Sequence, residues 1–132
     1  MKLLLDTHTF LWWSLEPERL PKKVMETLRD PGKEVFLSVA SSWEAQIKAG
    51  LGKLVLLDSL EKIIRREIST NGWKVLPVHL EHTWKLAELP PLHKDPFDRL
   101  LIAQSLAEGL AIVGKDPLFS VYPDVRIIWA EI

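Results

Sequence analysis

Residues 93–116 read HKDPFDRLLIAQSLAEGLAIVGKD. Pro96 directly after Asp95 is a helix start signal, and the apolar residues that follow carry a helix from Pro96 to Ala107. Leu110 to Val113 then reads as a strand, with Asp116 just beyond it. The same alternation recurs outward in both directions. Residues 2–5 predict a buried strand, 8–15 a short helix, and 21–29 a second helix between Pro21 and the breaker Asp30-Pro31-Gly32. Glu34 to Ser38 is a strand, and a helix runs from Ser42 to Ala49 and stops at Gly50. Residues 58–70 are an amphipathic helix with Leu60, Ile63, Ile64 and Ile68 near one face. Lys74 to Val78 is a strand whose Pro77 favours an edge, residues 80–88 are helical, and Val125 to Trp129 is the last strand.

Strands alternating with helices predict an α/β fold with a mostly parallel sheet. Such a sheet is covered on both faces, so its strands read as continuous apolar runs. Ligands then sit beyond the carboxyl ends of the strands, where the strand order reverses.

The 132 residues, 47% apolar and 27% charged, fit a single domain over 1–132. There is no cysteine, which excludes disulfides and thiolate metal sites and is compatible with a cytoplasmic protein. No apolar run approaches the ~20 residues of a membrane span, and Asp6 interrupts the apolar start too early for a signal peptide. Seventeen basic side chains face 18 acidic ones. That is not the basic balance usual for a nucleic-acid binder, so a phosphate backbone would have to be met by a local basic rim.

Four acids stand out, three of them at strand carboxyl ends, where the fold places a ligand. Asp6 ends the first strand, Glu44 follows the second, Asp98 opens the long helix, and Asp116 follows the strand at 110–113. Each also has a structural use. Ser41 to Glu44 fits a capping box, Asp95-Pro96-Phe97-Asp98 and Asp116-Pro117 fit helix caps, and Asp6-Thr7 fits a turn. Capping does not explain why so many acids gather at one end of the sheet. If they converge, their mutual repulsion requires protonation or a cation. Hard oxygen ligands select Mg2+ or Mn2+, the ions of phosphodiester hydrolysis.

These residues also carry a resemblance. Leu5-Asp6-Thr7-His8 with Leu11-Trp12-Trp13, Ser41-Ser42-Trp43-Glu44 with Ile47-Lys48, residues 93–104 (HKDPFDRLLIAQ), and Val113-Gly114-Lys115-Asp116 resemble the PIN domain, in particular the VapC-type toxins of bacterial toxin–antitoxin pairs. The resemblance implies a three-layer fold around a five-stranded parallel sheet of order 3-2-1-4-5. It implies a Mg2+- or Mn2+-dependent endoribonuclease, usually a homodimer, held inactive by a small antitoxin. The family's catalytic, metal-binding acids fall on Asp6, Glu44, Asp98 and Asp116. Gly114 departs from the family, where a serine or threonine is common.

Around the acids, Thr7, His8 and Asp95 are candidates for supporting roles, His8 as an orienting residue of the first helix and Asp95 as a cap. Lys48, Lys94, Arg99 and Lys115 are candidates to hold RNA phosphates, although Lys48, one turn after Glu44, can simply pair with it. His79, His82 and His93 show no ligand spacing with the acids, which disfavours zinc. Trp13, Trp43 and Trp73 read as core, as do Trp12 and Trp84, and the charged residues 61–67 read as a solvated face. Two other functions compete. A non-catalytic binding module of the same fold has no need of all four acids. A receiver-like phospho-acceptor needs paired early acids and an acceptor Asp on a central strand, and neither is present.

Overall fold

Leu3, Leu4 and Leu5 are completely buried because their strand, β1 (Lys2–Leu5), is the middle of a five-stranded sheet. The computed structural model describes residues 1–129; the last three residues of the expected 1–132 domain lie outside the described residues. The other strands are β2 (Glu34–Ser38), β3 (Lys74–Leu76), β4 (Ala111–Val113) and β5 (Ile127–Ile128). All pair in parallel, in the order β3-β2-β1-β4-β5 that the resemblance implied.

The pleat sends alternate side chains to opposite faces. Leu3 and Leu5 enter one apolar layer with Phe10, Val24, Leu28 and Ile63. These come from α1 (Thr7–Leu15), α2 (Lys22–Arg29) and α4 (Leu60–Asn71). Leu4 enters the other layer with Leu101 and Ile102 of α6 (Pro96–Glu108) and with Phe119 and Tyr122. The result is the expected three layers.

Strand order reverses between β1 and β4, and the chain is locked there. The Asp6 amide and the Thr9 hydroxyl both donate to the carbonyl of Val113, at 3.0 and 2.9 Å. This fixes the start of α1 against the end of β4. Gly114 lies so close that a Cβ built on it would stand 2.9 Å from the Cβ of Asp6. In this chain a side chain at 114 would press on the first acid, which gives the departure from serine or threonine a steric reason.

Several expectations are corrected. The third helix, α3, spans Val39–Gly50 and not Ser42–Ala49. Its cap is Ser38, the last residue of β2, whose hydroxyl accepts the Ala40 amide at 3.0 Å, so no capping box forms on Ser41. The buried stripe of α3 is Ala40, Ser41, Glu44 and Ala45, which leaves Trp43 62% exposed, not in the core. Trp84, on α5 (Leu80–Leu86), is equally exposed, because α5 turns His82 inward instead. Trp12 and Trp13 are half-buried against the core, and Trp73 is buried. Within the charged stretch 61–67, Glu67 is buried and accepts from Asn71 at 2.9 Å. β3 stops at Leu76, before Pro77.

One residue joins β2, the end of β3, α5 and α6. The fully buried Gln104 accepts from the Ser38 hydroxyl (2.6 Å) and donates to the Pro77 carbonyl (3.2 Å) and His82 Nδ1 (3.3 Å). Leucine at this position keeps the volume and strips the partners, leaving buried polar groups unsatisfied. Gln104→Leu is expected to lower the unfolding free energy by about 2–3 kcal/mol in urea titrations with an unchanged far-UV spectrum. A loss within measurement error would show that the network contributes nothing.

Candidate active site

Each of the four acids is presented by a different element. Asp6 occupies the N-cap position of α1, yet its carboxylate makes no cap hydrogen bond. Glu44 lies on the buried stripe of α3. Its Oε2 meets Lys48 Nζ at 2.9 Å, while Oε1 is buried without a hydrogen-bond partner. At α6 the capping is done by Asp95, whose Oδ1 accepts the amides of Phe97 (2.8 Å) and Asp98 (3.2 Å), so the Asp98 carboxylate is not needed for the helix. Asp116 both caps and faces the site. Its Oδ1 accepts the Leu118 amide at 2.9 Å, opening a 3-10 helix at Pro117–Val121, and its Oδ2 turns toward His93.

Burial grades across the group. The side chains of Asp6, Glu44 and Asp98 are 4%, 5% and 12% exposed, and that of Asp116 is 35% exposed. Three acids thus line the interior, with the fourth at the mouth. They act on one another. The Asp98 carboxyl is pushed up to about 7, first by burial and then by the charges of Asp6, Asp95 and Glu44, with His93 opposing.

The structure also brings in a residue that spacing set aside. His93 Nε2 lies 2.9 Å from Asp98 Oδ2 and 3.9 Å from Asp116 Oδ2. His93, Asp98 and Asp116 can each offer an atom within 4.8 Å of the others. The separation of the histidines from the acids therefore does not hold for His93. The loop after Pro90-Pro91 folds back over the start of α6, and only the position of His93 inside the HKDPFD stretch hinted at this.

The supporting candidates sit as follows. The Thr7 hydroxyl donates to Ser41 Oγ at 2.9 Å, joining α1 to α3 beneath the acids. His8 is exposed, with Nδ1 3.7 Å from Asp6 Oδ2, and its interaction with that carboxylate raises the imidazole above its ordinary value. Lys94 and Lys115 are exposed, with no ion pair among the described residues. Arg99 Nη2 donates to the carbonyls of Leu86 (3.3 Å) and Leu89 (3.2 Å), so that end of the guanidinium holds the chain ahead of the loop. Beside the acids lies a cleft of about 640 Å³ whose walls include His8, Arg19, Lys48 and Lys53.

Comparison with known proteins agrees with this architecture. The family model described as the PIN domain matches residues 3–125. Ribonuclease VapC22 of Mycobacterium tuberculosis is 26% identical over 120 residues, covering 86% of each chain. Among solved structures, VapBC2 from Rickettsia felis bound to a promoter DNA fragment superposes with a TM-score of 0.77 at 17% identity, covering 98% of this chain and all of that one. DNA-bound VapBC from Salmonella typhimurium gives 0.70 at 19% identity, covering 97% of each. With the match running through nearly the whole sheet and every element that presents an acid, the chain belongs to the PIN domain family.

Proposed function

We propose that the protein is a divalent-cation-dependent endoribonuclease, the toxin of a type II toxin–antitoxin pair, working in the cytoplasm as a homodimer restrained by a small antitoxin. The observation that carries the enzymatic part is the group of buried carboxylates, in which Glu44 Oε1 has no partner and Asp98 is pushed up to about 7 by burial and then by the neighbouring charges. A purely structural site has no reason to bear that cost. The toxin assignment is supported by the similarity to VapC22 and to toxins solved as VapBC complexes.

The residues fit a hard cation. The donors are carboxylate oxygens without thiolates, one of them is orphaned, and their repulsion is what a dication relieves. Asp6, Glu44, Asp98 and Asp116 would hold Mg2+ or Mn2+, which supplies Lewis acidity for the attack of water on a phosphodiester. The chain's own residues do the rest. Lys48 balances the charge of Glu44. Lys94 and Lys115 are exposed and available to meet phosphates, and Lys53 adds a cation to the largely apolar adjoining cleft, where Arg19 is paired with Glu16. No helix among the described residues is long and apolar enough to cross a membrane.

Purified protein is expected to cut RNA with Mn2+ or Mg2+ and to stop when a chelator is added. Asp6→Asn should slow cleavage by roughly 10²–10³-fold, the usual effect of losing one electrostatic group at a reacting centre, while its unfolding midpoint without metal stays level or rises as repulsion falls. Hydrolysis by water leaves a 5′-phosphate and a 3′-hydroxyl. Cyclic phosphate ends, with Asp6→Asn cutting as fast as wild type, would replace this reading with histidine-assisted chemistry.

The raised Asp98 carboxyl gives a second expectation. Its ordinary value is 3.8 and its folded value about 7, so between about pH 4 and 7 the folded protein keeps a proton that the unfolded chain releases. The unfolded state binds fewer protons there, and stability falls as pH rises through that window. Asp98→Asn should flatten this slope in metal-free urea titrations at several pH values. Parallel slopes for the two proteins would show that Asp98 is not perturbed.

A further inference from the structure

His93 is 93% buried by its 7% exposure, yet its Nε2 has no aligned hydrogen-bond partner. The other ring nitrogen is engaged. Nδ1 accepts the backbone amide of Asp95 at 3.3 Å. An amide can only donate, so Nδ1 must carry a lone pair, and in the neutral ring the proton then resides on Nε2. That nitrogen lies 2.9 Å from Asp98 Oδ2 and 3.9 Å from Asp116 Oδ2, so it faces both carboxylates although neither is aligned with it as a hydrogen-bond partner.

The loop around the ring is held from several sides. The His93 amide donates to the Tyr122 hydroxyl (3.1 Å), which donates onward to the Pro90 carbonyl (2.9 Å). The edge of Phe119 packs near the ring, with centroids 6.4 Å apart. Arg99 pins the carbonyls of Leu86 and Leu89 just before the loop. A side chain held this firmly, with one nitrogen committed and the other facing two carboxylates, is built to orient them.

We propose that His93 is a positioning residue of the acidic site: through Nε2–H it orients the Asp98 and Asp116 carboxylates in the arrangement that receives a divalent cation, and it is not itself a ligand. This rests on the cation reading above. Direct ligation would need the lone pair on Nε2 and the proton on Nδ1, where it would confront the Asp95 amide. That amide belongs to the residue that caps α6, so a metal-ligating His93 would disturb the turn that presents Asp98.

The test combines a tautomer measurement with metal binding. A long-range 1H–15N spectrum of the full chain, without metal and with Mg2+, should show His93 protonated on Nε2 in both states. Calorimetric titration with Mn2+ should give His93→Gln an affinity within about threefold of wild type, since the glutamine amide can place a donor where Nε2 was. His93→Leu should bind about 10- to 100-fold more weakly, the usual effect of removing a hydrogen-bond partner of a ligand. A proton on Nδ1 in the Mg2+ state would overturn the proposal in favour of direct ligation, as would His93→Gln binding as poorly as His93→Leu. His93→Leu binding as well as wild type would also overturn it, leaving the cation site intact. Wild-type protein that binds no Mn2+ would instead refute the cation reading, and this proposal with it.

Discussion

Asp6, Glu44 and Asp98 are all buried, the charges of Asp6 and Glu44 act on Asp98, and like charges out of reach of water repel strongly. Much of the surrounding structure serves to hold that arrangement together. The doubly accepted Val113 carbonyl ties the Asp6 turn to the end of β4. Asp95 takes over the capping of α6, which frees Asp98 to face inward. Lys48 balances one oxygen of Glu44 and leaves the other bare. The remaining cost shows in Asp98, whose carboxyl is pushed up to about 7 by burial first and by the neighbouring charges second. A protein that needed these acids only as caps would spread them out. Gathering them makes sense for something that arrives with positive charge.

Much of this was legible in the sequence because the strands are short apolar runs, three of them followed by a candidate acid. That pattern gives the α/β class and the end of the sheet on which to look. Strand order did not come from periodicity; it came with the family resemblance, and hydrogen-bonded pairing bears it out. The acids could be placed because the carboxyl ends of parallel strands share one edge of the sheet, whichever helices intervene.

The misses have physical causes. Trp43 read as core because apolar residues at helical spacing normally face inward. On α3 the preference is inverted. The inward stripe is small and polar since it packs over the acids, and Val39, Trp43 and Ile47 are left outside. The start of α3 was missed because Ser38 is at once the last residue of a strand and the cap of a helix, with no intervening turn to mark the change. His93 was missed because it reaches Asp98 through a loop broken by two prolines, and loop geometry has no period to read. The acids and the helix they open are encoded locally, whereas the imidazole beside them is a product of how the loop closes.

The central claim is that these carboxylates form one cation site. Anomalous diffraction from crystals soaked in Mn2+ tests it most directly. The account predicts a peak among Asp6, Glu44, Asp98 and Asp116 that disappears in Asp6→Asn crystals soaked identically. Clear density for the four side chains with no anomalous signal between them, at a Mn2+ concentration that supports full activity, would contradict it.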